Sequence, residues 1–315
     1  MQTIDAVIPL LQKDRERFTI LLRSLEAFMT GLGTLYVITP DDQLACAPSL
    51  AGSRKFAIQV VGERLLVPEM ESFFYLPGWY KQQLVKLAAS QLVSTPFYLT
   101  LDADVICTRR VSPSDLVPNG RARCFVIERD EHPDWYAGAE AVLNMKAVRR
   151  HVLHNVTPCV WSRDGVLEVI ERLNAVGNTP RYARGMRGVR QRVLFTLHRL
   201  GPYRAAPPWR GWLAASSPWA EYATYFTYLE VTGRFAHYHV ESDECIYDIE
   251  KSLWKDGPSI EDIDAEPLFL GQGPPYFMVV QSNTGIPAQR IWDRLRSYIE
   301  HPSSGEWSCE SHTCS

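Results

Sequence analysis

Phe97 to Arg109 reads FYLTLDADVICTR, and the two aspartates in it constrain the chain more than any other feature. Phe97 to Leu101 is a run of aromatic, apolar and β-branched residues preceded by Pro96, the pattern of a buried strand. Two carboxylates spaced D-x-D cannot continue that strand into a sheet interior, because an unpaired buried charge is too costly. They fit if the strand stops and Asp102 and Asp104 emerge at its C-terminal lip, where open α/β sheets bind ligands. Carboxylate oxygens suit hard divalent cations, and such cations hold phosphates. A metal–diphosphate site is one reading of the pair; two aspartates in a surface turn is the other.

The elements around this strand alternate. Ile4 to Leu10 is a strand pattern that stops at Pro9, and Asp14 opens a helix whose Phe18, Leu21, Leu22, Leu25, Phe28 and Met29 recur at helical spacing. Gly31 and Gly33 close it, and Thr34 to Thr39 is a second strand. Strand–helix–strand with short connections predicts a parallel sheet with right-handed crossovers. Phe56 to Val61 is a third strand. A helix from Trp79 to Val93 turns Tyr80, Leu84, Leu87, Ala88 and Leu92 inward, with Gln82 and Lys86 on one polar edge. Lys86 is either a solvated helix lysine or a cation reaching the aspartates. Cys124 to Glu128 reads as a strand, Tyr136 to Arg150 as partly helical, and Asp164 as the start of another helix. Between 177 and 216, Gly, Pro and Arg break the regularity around a helix over Val189 to Leu200. Its arginines are a solvated basic face or contacts for a diphosphate, an anionic acceptor or a membrane surface. Ser217 and Pro218 read as a helix start, so Glu221 in the first turn complements the helix dipole. Phe235 to Val240 reads as a strand, which would put His237 and His239 on one face. Glu241 to Glu250 reads as a surface stretch. Phe277 to Ser282 is a last strand, and Ala288, Ile291, Trp292, Leu295 and Ile299 mark a final amphipathic helix.

Composition narrows the class. The 315 residues carry a net charge of −3, so no global basic field argues for nucleic acid. No apolar run reaches the ~18 residues of a membrane span, and MQTIDAVIPLLQKD lacks the features of a signal peptide. Seven scattered cysteines, an odd number, read as free thiols in a reducing, cytoplasmic setting. Cys309, His312 and Cys314 sit in a Ser-rich end that reads as a flexible tail over 303–315.

GWYKQQLVKLAAS followed by STPFYLTLDADVICTR resembles a largely uncharacterised group of GT-A-type glycosyltransferases. IDAVIPLLQKDRERFTILLRSL, NVTPCVWSRDGVLEVIERL, SPWAEYATYFTYLE and FMVVQSN are similar to that group in the same order. The resemblance covers most of Ile4 to Asn283. It implies an α/β, GT-A-like (Rossmann-like) fold: a mainly parallel central sheet flanked by helices, with a helical, irregular acceptor-side portion. It also implies one domain over 1–302, with 1–130 as the nucleotide-binding half and 131–302 as the acceptor-side half.

The same resemblance implies roles. Asp104 would bind Mn2+ or Mg2+ directly; Asp102 would bind it through water or hold the ribose. Pro9, Leu10 and Asp14 would lie along the nucleotide, and Lys86 near its phosphates. The group often adds one late histidine to the metal, for which His239 is preferred to His237. Glu221 would be the general base toward a carbohydrate, glycolipid or other hydroxyl acceptor, the donor being a nucleoside-diphosphate sugar. Other readings stay open. Haloacid dehalogenase-like phosphohydrolases also place D-x-D after a strand, with the first aspartate, here Asp102, as nucleophile. A nucleotidyltransferase would want a glycine-rich first turn, which VIPLLQKD lacks. A nucleotide- or sugar-binding protein without turnover is the non-enzymatic alternative.

Overall fold

A computed structural model of the chain describes residues 3–46, 55–127, 132–147, 152–153 and 157–302. The tail at 303–315, with Cys309, His312 and Cys314, lies outside the described residues, as do the last residue of the Cys124–Glu128 strand and the end of the Tyr136–Arg150 segment. Strands β1 (Ile4–Pro9), β2 (Leu32–Thr39), β3 (Ala57–Gly62), β4 (Phe97–Thr100) and β8 (Cys159–Ser162) form one sheet in the order β3-β2-β1-β4-β8. The first four are parallel and β8 is antiparallel to β4. β5 (Val105–Cys107) pairs antiparallel with β10 (Phe277–Val279). β6 (Ala122–Ile127) lies between β7 (Val152–Leu153) and β9 (His239–Ser242). The fold is thus α/β with a mainly parallel central sheet, as the strand–helix–strand alternation requires.

Each face of the sheet buries its own core, because successive strand residues point to opposite sides. Ala6 and Ile8 of β1 join Phe18, Leu21 and Leu25 of helix α1 (Arg15–Phe28), and the same layer takes Ile291, Leu295 and Ile299 of the final helix (Ala288–Glu300). Val7 faces the other way, into a layer holding Leu84 and Leu87 of α2 (Gly78–Ala88), Val169 and Leu173 of α4 (Arg163–Asn178), Trp209 and Trp212 of α6 (Pro208–Ala215), and Tyr225 and Phe226 of α7 (Glu221–Val231). Between α2 and α4 in sequence runs α3 (Pro133–Leu143), and between α4 and α6 runs α5 (Gly185–Leu200). The final helix is α8.

β1 carries one buried carboxylate, Asp5, at the end of the sheet away from the D-x-D lip. Its Oδ1 accepts from the Thr34 amide (2.9 Å), and its Oδ2 accepts from the Ser94 amide (2.8 Å) and hydroxyl (3.0 Å). A carboxyl group this well bonded ties β1 to β2 and to the segment entering β4, where an unpartnered one would be costly to bury.

The structure departs from the sequence reading in four places. The helix expected from Ser217–Pro218 begins at Glu221, with Ala220 at the cap position; the Ser217–Pro218 peptide is cis. Phe235–Tyr238 is a single helical turn, and only His239–Ser242 is strand, so His237 and His239 do not share a sheet face. The irregular 177–216 stretch holds two helices, α5 and α6, where one was expected. The stretch read as surface, Glu241 to Glu250, sends Ile246 and Tyr247 into the core. Local pattern does not report tertiary packing, which buries Ile246 and Tyr247 and stacks Phe235 on His239.

Candidate functional site

β4 runs beside β1 until Thr100, the Leu101 amide still donates to the Val7 carbonyl (2.9 Å), and the two aspartates follow at the C-terminal lip of the parallel strands. The Val105 amide donates to the Asp102 carbonyl (3.2 Å), closing a tight turn that sends the chain into β5. β10 then returns beside this turn: the Val280 amide donates to the Asp104 carbonyl (2.9 Å), and the Ser282 amide donates to Asp104 Oδ2 (2.8 Å). Arg17, from the first turn of α1, donates to the Val280 (2.7 Å) and Ile286 carbonyls and fixes that returning segment. Burial and the neighbouring Asp102 together push the Asp104 carboxyl up to about 6, against the Ser282 amide and Arg17, which favour its charged form.

Asp102 and Asp104 stand on the wall between two compartments. One is a polar cavity of about 250 Å³ whose lining includes Pro9, Asp14, Arg17, Gln82, Ser282 and Asn283. The other, of about 140 Å³, has Trp79, Trp135 and Trp254 around it and Lys86, Glu221 and Tyr222 inside. Both aspartates, Trp79 and Gln281 line both compartments. Asp14 is half-buried, and desolvation raises its pKa despite Lys13 and Arg17.

At the floor of the second compartment, Lys86 is buried, with its side chain 4% exposed. Its Nζ donates to Thr157 Oγ1 (2.9 Å) and lies 3.0 Å from Asp102 Oδ1 and 3.4 Å from Glu221 Oε1. It also lies 3.3 Å from the Tyr222 hydroxyl. Burial alone would lower the ammonium pKa; Asp102, Tyr222 and Glu221 outweigh it and hold the pKa well above its usual value. Glu221 is raised by desolvation and held back by Lys86. The Glu221 amide at the helix start is met by Gln83 Oε1 (2.8 Å), so the partner for the first turn of α7 comes from α2. α3 can approach this turn because residue 138 is glycine: a Cβ there would stand 2.1 Å from the Pro218 carbonyl oxygen. Trp135 of α3 lines the same compartment as Glu221.

The sequence-predicted residues therefore divide. Pro9, Asp14, Lys86, Asp102, Asp104 and Glu221 all line the paired compartments. Leu10 does not: its side chain is in the core and its amide donates to the Ile38 carbonyl (2.8 Å). His239 does not join the aspartates either. Its Nε2 is 2.8 Å from the Tyr225 hydroxyl, its ring packs on Phe226 and Phe235, and burial lowers its pKa to about 3. A neutral imidazole engaged inside an aromatic box is a core residue, and nothing here brings it to a cation at the lip. Lys86 is no solvated helix lysine; the polar edge of α2 faces the cleft. Sequence reasoning missed Arg17, Gln83, Thr157, Tyr222 and the Gln281–Asn283 turn. Each lies inside a block that carries the resemblance, but nothing in the local pattern singled it out.

Among the described residues no three His, Cys, Asp or Glu side chains converge as a ready-made metal cage. Two adjacent carboxylates with an open polar cavity beside them fit a hard cation that takes its remaining oxygens from phosphate and water.

The chain belongs to DUF6492. That family is described as one of unknown function, and its model matches residues 1–303. No curated protein matches the chain. Among solved structures, the DUF6492 chain is similar to the apo form of mouse xyloside xylosyltransferase 1, at 12% identity and a TM-score of 0.44, over 91% of this chain and 100% of that one. No described helix of the DUF6492 protein is long and apolar enough to cross a membrane.

Proposed function

We propose that this protein is a metal-dependent glycosyltransferase that moves a sugar from a nucleoside-diphosphate sugar to a hydroxyl acceptor. The observation that carries the reading is the shared wall: Asp102 and Asp104 separate a polar cavity from an aromatic-rimmed one that holds a buried carboxylate. A diphosphate suits the polar side, next to the aspartates, Arg17 and the Ser282 turn. A sugar ring suits the other side, because tryptophan faces pack against the apolar faces of pyranosides while polar groups below meet hydroxyls.

In this reading Asp102 and Asp104 hold Mn2+ or Mg2+, and the bound cation supplies positive charge to the departing diphosphate. Asp14 and Pro9 lie along the nucleotide. Lys86 fixes Asp102 and Glu221 by charge and hydrogen bond. Glu221 takes the acceptor proton: the acceptor O–H bond breaks toward Glu221, its oxygen bonds the anomeric carbon, and the bond from that carbon to the diphosphate oxygen breaks. Desolvation raises the Glu221 pKa, which makes the carboxylate a stronger base, and Lys86 beside it favours the charged form. One displacement of this kind inverts the anomeric centre.

The test is thermal shift with a panel of nucleoside diphosphates, each with and without Mn2+, on wild type and Asp104→Ala. A ligand at 100 times its dissociation constant adds ~2.7 kcal/mol of stability. One nucleotide stabilising only with metal, and only the wild type, supports the reading; stabilisation by none sinks it. Phosphatase turnover through an aspartyl phosphate on Asp102 would replace it with the hydrolase reading.

A further inference from the structure

α5 has a buried side and, roughly opposite it, an apolar side that nothing among the described residues covers. Gly188, Gln191, Phe195 and His198 are buried against the protein. Met186, Val189, Val193, Leu197 and Leu200 are 81%, 55%, 50%, 63% and 77% exposed. At 3.6 residues per turn these five form one stripe on the side of the helix roughly opposite the buried face. Arg187 and Arg190 border the stripe on one side, and Arg192 and Arg199 on the other. A solvated helix would carry polar residues where this one carries Met, Val and Leu. The apolar surface also continues off the helix: Leu194 and Leu197 share a cavity of about 160 Å³ with Phe74, which is itself 85% exposed.

The charge around this surface has one sign. From Arg172 to Ala220 the chain contains nine arginines and no Asp, Glu or Lys, although the whole protein has a net charge of −3. The acidic groups that adjoin this stretch are engaged or lie apart: Glu69 is buried against Arg210 at 3.1 Å, Glu71 is paired with Arg64 at 2.7 Å, and Glu140 borders a separate cavity with Arg181 and Arg187. An exposed apolar stripe flanked by cations on both sides is the arrangement of a helix lying in a bilayer interface, with apolar side chains among the acyl chains and guanidinium groups reaching the headgroups.

We infer that α5 docks this protein in-plane on an anionic lipid surface, through Met186, Val189, Val193, Leu197 and Leu200 with Phe74 beside them. A second copy of the chain is the poorer occupant, because two such faces would set arginine against arginine. Docking also has a direction. Arg187 Nη2 lies 3.5 Å from the Ser216 carbonyl, five residues before Glu221, so the N-terminal end of α5 borders the segment leading to the aromatic compartment. The inference does not depend on the proposed transfer reaction.

Vesicle flotation of the full chain tests it. The protein is expected to float with vesicles in which phosphatidylglycerol replaces part of the phosphatidylcholine, to stay behind with phosphatidylcholine alone, and to be released by salt. Arg190→Gln with Arg192→Gln should weaken partition on the order of tenfold or more. Val193→Ser with Leu197→Ser should weaken it comparably. All four side chains are exposed, so unchanged melting temperatures separate lost docking from lost folding. Failure to float, equal partition to neutral and anionic vesicles, or a sedimentation-velocity dimer that Leu197→Ser splits would each overturn the inference.

Discussion

Lys86 is the residue on which the two carboxylates beside it depend. Replacing it with Met leaves Glu221 buried without a cation, and breaking a buried pair from one side costs about 3–5 kcal/mol. The cost should vary with pH. In Lys86→Met the folded state would hold a proton on Glu221 at pH values where the unfolded chain has lost it, so stability falls as pH rises. Urea unfolding at pH 5 and pH 8 should show the larger loss at pH 8, and adding Glu221→Gln should restore most of it. An equal loss at both values would mean Glu221 does not feel Lys86. Asp104 gives the complementary case. Its pKa is raised to about 6, so between the ordinary carboxylate range and pH 6 the folded state binds more protons than the unfolded one, and stability declines across that window. Asp104→Asn keeps an acceptor for the Ser282 amide and removes the charge. Melting in chelator should therefore rise by about 2 °C or more at pH 7.5, with a smaller gain near pH 4.5, while Mn2+-dependent nucleotide stabilisation disappears. A melting point that falls at pH 7.5 would contradict this.

At the scale of elements, the approach of α3 to the start of α7 is set by Gly138. Gly138→Ala must move backbone, since the clash is with the Pro218 carbonyl and not with a flexible side chain. Overpacking of this kind costs about 1–3 kcal/mol, and here it also shifts Trp135 relative to Glu221. The measurement is the melting temperature together with the proposed sugar transfer; stability and that activity both at the wild-type level would show that the helices can part freely. A second tie at this scale is the buried pair of Arg210 on α6 with Glu69, 3.1 Å apart. Arg210→Met should cost about 3–5 kcal/mol in urea unfolding, by leaving Glu69 uncompensated; a loss below 1 kcal/mol would mark the pair as incidental. The elements that sequence revealed are those whose pattern is local: the strand ending in Asp102, the α1 stripe from Phe18 to Phe28, and the α8 stripe of Ile291, Leu295 and Ile299. Phe235–Tyr238 was hidden because its aromatic and β-compatible residues suit a strand equally well, and packing of Phe235 on Phe226 and His239 decides the outcome. Lys86 was ambiguous for a related reason. Helical spacing identifies a polar edge but not whether that edge meets water or a cleft.

The whole molecule brings the site together from distant stretches: residues 9 to 17, 79 to 86, 102 to 104, 221 and 222, and 281 to 283. The first and last of these are joined by Arg17, whose guanidinium donates to carbonyls 263 and 269 residues away in sequence. No local pattern could reveal that contact, since an arginine in the first turn of an amphipathic helix reads as part of its solvated face. Two charge-assisted hydrogen bonds are lost in Arg17→Met, worth about 1.5–3 kcal/mol each at most, and the segment 280–286 loses its tie to α1. The Ser282 amide then no longer has a fixed position against Asp104, and the Asp104 charge loses a nearby cation that favours it. The expected outcome is a modest fall in melting temperature with a larger fall in Mn2+–nucleotide affinity, since the tie holds the wall of the polar cavity more than the core. Hydrogen exchange reads this directly. Amides of 280–286 should become protected when nucleotide and metal bind wild type, and should exchange freely in Arg17→Met with or without them. If those amides stay equally protected in the variant, β10 is held by its pairing with β5 alone, and the polar cavity is closed without help from the N-terminal helix.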